Sequence, residues 1–222
     1  GGFASVSKKL SLLDQEEWAK VSNAAYTAAG KAPLYIALNP EVGGAGVNYQ
    51  DEIFTTAPTQ NYSLGFLGGS DNLKYSMSLN YFNQEGIIKE TNYERFNIRV
   101  KSDYKKGIFK IGETILLTKE KRKELPGVPG QGRNVLGSAI TMIPGFAIYD
   151  EDAIGGYGGA SGPVTDIFNP IAALNLFDVT SDTYQALLNT YVGAGFFDGF
   201  KYKLNFGATV SELKRDNYTP RY

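Results

Sequence analysis

The sequence predicts an all-β chain, a portion of an antiparallel transmembrane β-barrel, and three observations carry that prediction. Apolar residues recur at every second position, in runs longer than the roughly 5–6 residues usual for a soluble strand. The connections between those runs alternate between short and long. No stretch approaches the roughly 18 consecutive apolar residues of a membrane-spanning helix, whereas a spanning strand needs only about 9–11.

The elements follow in order. A strand stub over 3–7 leads into a segment, 8–60, expected on the extracellular side. Within it Asp14 and Glu17 have capping-box spacing, Trp18, Val21, Ala25 and Ala28 recur at helical intervals, and Gly30 can close the turn, which predicts one short surface helix over 14–29. Four strands are predicted within 62–118. Tyr62, Leu64 and Phe66 alternate with Ser63 and Gly65; Tyr75, Met77, Leu79 and Tyr81 alternate with Lys74, Ser76, Ser78 and Asn80. Phe96, Ile98 and Val100 continue the pattern, and so do Phe109, Ile111, Ile115 and Leu117, although Glu113 falls on the apolar side and Leu116 on the other. A long extracellular loop is predicted over 119–186 and a hairpin over 187–211. In that hairpin Phe200, Tyr202, Leu204, Phe206, Ala208 and Val210 stand strictly against polar neighbours. Glu212 to Pro220 does not alternate and contains proline, so no closing strand is expected there, although Tyr222 is a terminal aromatic of the kind that ends many outer-membrane barrels. On this reading the short turns are periplasmic and the long segments face outside.

Composition removes much chemistry. The 222 residues include no Cys and no His, which excludes disulfide frameworks, thiolate metal sites, Ser-His-Asp triads and imidazole bases. With 22 basic and 23 acidic residues there is no excess positive charge for nucleic acid, and nucleic acid is not an expected partner. The 26 Gly, 15 Tyr and 13 Phe favour strands, tight turns and loops. The start, Gly1-Gly2-Phe3, has neither an initiator Met nor a signal peptide, and the chain is expected to begin mid-protein.

The run from Tyr49-Gln50-Asp51-Glu52 through Ala57-Pro58-Thr59-Gln60-Asn61-Tyr62-Ser63-Leu64, followed by Gly68-Gly69-Ser70-Asp71 and Tyr81-Phe82-Asn83-Gln84-Glu85-Gly86-Ile87-Ile88, resembles the SusC/RagA family of TonB-linked outer-membrane transporters. Leu10-Ser11-Leu12-Leu13-Asp14 and Tyr93-Glu94-Arg95-Phe96-Asn97-Ile98-Arg99 are similar to that family at corresponding places. The resemblance is strong over residues 1 to about 118 and general beyond. It implies a part of a 22-stranded barrel, the first strands after a plug domain that these residues lack. It also implies import of oligosaccharides or peptides through the outer membrane, a SusD-like surface lipoprotein as lid, and the TonB complex acting through the missing plug. Transport, not catalysis, is implied, with outer-membrane lipid as the surroundings and no cofactor.

Candidate ligand contacts lie in the aromatic, glycine-rich loop: Phe146, Tyr149, Asp150, Asp152, Tyr157 and Phe168. Aromatic faces stack on sugar C–H bonds and carboxylates bond hydroxyls; the alternative for each aromatic is packing of the loop against its neighbours. Asp150-Glu151-Asp152 reads more simply as a solvated acidic turn than as a Ca²⁺ site, since no EF-hand pattern accompanies it, and no metal is expected. The basic run Lys119, Lys121, Arg122 and Lys123 reads as a solvated strand end.

A self-contained surface β-protein that binds a glycan or host ligand without transporting it is the alternative from another class. Solubility discriminates the two. The 222-residue chain is expected to aggregate in water and to disperse in detergent; cooperative unfolding in buffer alone would contradict a lipid-facing role for Leu204, Phe206 and Val210.

Overall fold

The computed structural model describes residues 1–33, 44–127, 134–153, 155–159 and 167–220. Its frame is one seven-stranded antiparallel sheet in the order β1-β2-β3-β4-β5-β6-β7, so every strand pairs with its sequence neighbours. The strands are β1 (Gly2–Ala4), β2 (Ala57–Gly69), β3 (Leu73–Glu85), β4 (Asn92–Lys106), β5 (Phe109–Lys123), β6 (Asp178–Phe197) and β7 (Phe200–Tyr218). Short turns at 70–72, 107–108 and 198–199 lie at one end, where Gly107 and Gly199 adopt positive φ of 59° and 89°. The long connections 5–56, 86–91 and 124–177 lie at the other. The helices are α1 (Gln15–Ala28), α2 (Tyr49–Ile53), α3 (Val135–Thr141) and α4 (Pro170–Leu176), all within the long connections.

Register turns the one-strand alternation into a two-dimensional surface. Phe66, Met77, Val100, Ile115, Leu188 and Ala208 form one row across β2 to β7. Leu64, Leu79, Ile98, Leu117, Ala186 and Val210 form the next. Aromatics border this band: Tyr62, Tyr81 and Phe96 share a row on the long-loop side, while Tyr75, Tyr104, Phe109 and Tyr202 sit towards the short turns. Phe96 and Tyr104 are eight residues apart on β4, or about 27 Å of strand, close to the roughly 25 Å apolar band of an outer-membrane barrel. Protein does not cover this face. Leu64 is 62% exposed, Phe206 58% and Val210 68%.

The buried hydrophobic cluster lies in the long connections instead, where Tyr49, Ile53, Val135, Ala139, Met142, Ile171, Leu174 and Phe177 pack together. Three short helices build it, none of them expected from the sequence, because five to seven residues are too few to show helical periodicity. By contrast α1 matches its sequence signature: Asp14 accepts from the Glu17 amide at 2.8 Å, and the Glu17 carboxylate accepts from the Asp14 amide at 3.2 Å.

Strand limits differ from those read in the sequence. The fourth long strand continues to Lys123, and the hairpin expected over 187–211 extends from Asp178 to Tyr218. The residues beyond 211 pair in unbroken register with β6, Leu213 opposite Thr183 and Asn217 opposite Val179, so the expectation of no strand after 211 is corrected. Alternation reports a contrast of surroundings on the two faces. Above the apolar band both faces meet water, so charged residues appear on both while the hydrogen-bonded ladder continues. Glu113 does stand on the apolar face, where its carboxylate accepts from the Ser102 hydroxyl at 3.2 Å, and Leu116 lies opposite Leu187 on the polar face.

The two faces predict opposite tolerances at adjacent positions. In the intact protein, replacing Leu188 by Arg is expected to cost about 2–4 kcal/mol in guanidinium titrations in phospholipid vesicles, and replacing Asn189 by Arg less than about 1. Equal costs would refute the assignment of faces.

Candidate functional site

Two surfaces could meet a ligand: the cap made by the long connections, and the polar face of the sheet. In the cap, α2 holds three segments together. Gln50, almost fully buried, clasps the backbone of Leu10: its Oε1 accepts the Leu10 amide at 3.0 Å and its Nε2 donates to the Leu10 carbonyl at 2.9 Å. Beside it Lys9 pairs with Asp51. The buried phenol of Tyr49 donates to the Phe146 carbonyl at 3.0 Å, and burial pushes its pKa well above the usual tyrosine range. The β3–β4 connection closes on the same helix, with the Thr55 amide on the Ile87 carbonyl and the Lys89 amide on the Ile53 carbonyl, both at 2.9 Å.

Asn169 organises the other side of the cap. Its Oδ1 accepts from the amides of Ile171 and Ala172, capping α4, while its Nδ2 donates to the carbonyls of Ile148 and Gly158 at 2.9 and 2.8 Å. Asn169-Pro170 is an N-cap followed by proline in the first turn, a helix start that the sequence reading passed over when it assigned 119–186 to one loop. Gln50 carried no such signal, because its partner is forty residues away.

The sequence-derived candidates divide between these structures. Phe146, Tyr157 and Phe168 pack against the buried cluster, and the Phe168 ring stacks on Phe177 at 5.4 Å. Tyr149 is 65% exposed and pairs with Tyr157 across an isolated bridge, their rings 5.5 Å apart. Asp150 begins a turn: its amide donates to the Gly156 carbonyl, and its Oδ1 accepts the Asp152 amide at 3.0 Å. Among the described residues, no group of three carboxylates converges as a metal site. The structure thus joins Tyr149, Asp150, Asp152 and Tyr157 in one small hairpin, and places Phe146 and Phe168 in the support beneath it. The basic run proves to be strand: Lys119 lies over the Tyr184 ring, Arg122 over Tyr93, and Lys123 pairs with Glu90 at 2.6 Å.

On the polar face a constellation links four strands. Tyr191 on β6 donates to Asp103 Oδ1 on β4 at 2.6 Å, reaching across Gly112 of β5, and Lys203 of β7 lies 4.1 Å from the Tyr191 ring centre. Lys101 stands 3.4 Å from the other Asp103 oxygen. A Cβ at Gly112 would strike both the Tyr191 ring and Asp103, so this contact requires glycine there. Sequence reading missed the group because its members are distant in the chain and meet only through register.

No protein-family model matches the sequence. The TonB-dependent receptor P3 of Formosa agariphila is 33% identical over 97% of this chain and 21% of its own length. The TonB-dependent receptor SusC of Bacteroides thetaiotaomicron is 31% identical over 44% of the chain and 9% of its length. The chain is SusC/RagA-like. Its fold matches solved structures of the RagAB peptide transporter, with a TM-score of 0.63 over 78% of the chain at 22% identity, and of the RagAB peptide importer in an open-open state, with 0.65 over 90% at 21%. The SusC/RagA-like chain spans about a fifth of those proteins and of the Formosa receptor. The open sheet is accordingly similar to part of a TonB-dependent transporter barrel.

The buried Tyr49 phenol gives the cap an alkaline limit. Its proton is held more tightly in the folded than in the unfolded chain, so its contribution is intact below the unfolded pKa of about 10 and declines as pH rises above that value. Cleavage of the 124–177 segment by subtilisin in the intact protein, relative to cleavage of an unfolded substrate at the same pH, is expected to accelerate as pH rises from about 10 to 11. In Tyr49→Phe the cap should open more easily at pH 8, by about 1 kcal/mol for the lost hydrogen bond, with a flatter alkaline rise. An identical pH profile in the variant would contradict this.

Proposed function

We propose that this chain supplies barrel wall and extracellular loops to an outer-membrane, TonB-dependent importer of oligosaccharides or peptides in a Gram-negative, Bacteroidetes-like cell. The observation that carries the reading is the uncovered apolar face bordered by aromatics, in a chain related over nearly its full length to a TonB-dependent receptor. A face of that kind is stable against hydrocarbon and costly against water. The long edge of β7 would be closed in the intact barrel by a further strand, because unpaired backbone is not tolerated in lipid. By family resemblance the full barrel has 22 strands around a plug.

The loops on the cap side would face the exterior, where a SusD-like lipoprotein closes over captured ligand. The exposed hairpin with Tyr149, Asp150, Asp152 and Tyr157 is the part of the cap best placed to touch ligand or lid, while Phe146 and Phe168 hold it in position. TonB would act on the plug and open the passage along the polar face. No residue in this scheme performs covalent chemistry.

Deleting the parent gene tests the scheme directly. Growth on at least one oligosaccharide or peptide source is expected to fail and to return with the intact gene. Undiminished growth on every polymer and peptide source tried would sink the proposal.

A further inference from the structure

Alternation fixes which face a side chain takes, but it leaves the register of neighbouring strands open by steps of two residues, because a shift of two keeps every side chain on its face. A tight turn normally removes that freedom. The turns at 70–72, 107–108 and 198–199 do so for β2 with β3, β4 with β5 and β6 with β7. Between β5 and β6 lies the connection 124–177, which is too long to impose an alignment. A shift of β6 by two would set Leu117 against Leu188 and Ile111 against Ala194, still an apolar face. Side chains have to hold the hairpin β6–β7 in step with β4–β5.

Three residues, each the only one of its kind on its stretch of the polar face, meet at one row. Gly112 is the sole glycine of β5 and its sole buried residue. Tyr191, directly opposite, is the sole aromatic on the polar face of β6 between Asp178 and Gly195. Asp103, opposite Gly112 on the other side, is the sole carboxylate on the polar face of β4. The Tyr191 ring lies across Gly112, where a Cβ would strike it, and its hydroxyl donates to Asp103 Oδ1 at 2.6 Å. Lys203 of β7 lies over the same ring, 4.1 Å from its centre. Tyr75 crosses Gly68 in a similar way on the apolar face, but there a three-residue turn already sets the register.

We infer that Tyr191, Gly112 and Asp103 form a register lock, which brings the hairpins β4–β5 and β6–β7 into one alignment across a connection that cannot impose it. A shifted register has no substitute for their fit. Two residues one way, Tyr191 meets Lys110 and behind it Lys105; two residues the other way, it meets Thr114 and behind it Lys101. In both cases a side chain fills the place of the glycine, and the hydroxyl finds an ammonium donor where the carboxylate stood. Lys119 is less selective: it lies over Tyr184 and would meet Asp182 after a shift of two. The lock belongs to the wall itself, so it holds whatever the protein carries and whatever else the barrel encloses.

The test uses the intact protein in the outer membrane of its own cells, in a background without other cysteines, and reads register by disulfide formation. Thr118→Cys is combined with Gln185→Cys, Thr183→Cys or Leu187→Cys. Thr118 stands opposite Gln185 in the observed register, and opposite Thr183 or Leu187 after a shift of two one way or the other. With the lock unmodified, the Thr118–Gln185 pair should account for nearly all cross-linking. Tyr191→Ala, which removes the ring, and Gly112→Val, which fills the slot, are each expected to raise the shifted pairs about five-fold or more. Tyr191→Phe keeps the ring and should keep the unmodified pattern, which separates register from a general loss of stability. Shifted pairs no more abundant in Tyr191→Ala than in the unmodified protein would overturn the lock, and so would failure of Tyr191→Phe to assemble. Loss of assembled protein in Tyr191→Ala alongside normal Tyr191→Phe would support it, because those two variants differ only in the ring.

Discussion

Hydrocarbon offers no hydrogen bonds, so in the proposed barrel every backbone N–H and C=O at membrane depth has to be satisfied between strands, and that requirement accounts for the shape of the sheet. It explains strands of 13 to 20 residues from β2 to β7, pairing with immediate sequence neighbours, and tight turns at one end. It also explains why large apolar side chains of the sheet stand exposed in rows. Leu64, Phe206 and Val210 would be misplaced on a protein surrounded by water; against lipid tails they are at home.

A consequence is that the cohesive protein core is displaced from the sheet into the connections. Tyr49, Ile53, Val135 and Leu174 do there what the middle of a sandwich does in a soluble β-protein. The polar clasps of Gln50 and Asn169 complete it, each tying backbone groups of another segment to a short helix. The cap is thus a packed cluster of short helices and loops at the long-connection end of the sheet. The hairpin of Tyr149 and Tyr157 is joined to that cluster through Tyr157.

How much of the candidate site was legible depends on the distance over which each signal acts. The aromatic richness of the long loop was visible, but composition could not separate Tyr149, which is exposed, from Phe168, which stacks on Phe177 beneath. Both are aromatics in a glycine-rich loop, and only the packing of α3 and α4 sorts them. The basic character of the polar face was invisible for a related reason. Its lysines come from four strands, Lys74 from β3, Lys101 and Lys105 from β4, Lys110 from β5, Lys201 and Lys203 from β7, and only register brings them onto one face.

The sequence by itself determined the all-β class, the two faces of each strand, the short and long ends, the capped helix α1 and the family resemblance. These rest on local repeats of two or 3.6 residues, or on contiguous motifs, which a linear reading contains in full. Tertiary structure decided the register that aligns Tyr191, Gly112 and Asp103, the extension of β6 and β7 beyond the apolar band, and the buried cluster of the cap. Those features depend on which residue stands opposite which across strands far apart in the chain. Pairing of that kind is set by the closing of loops and the fit of side chains, and it leaves no period in the sequence to read.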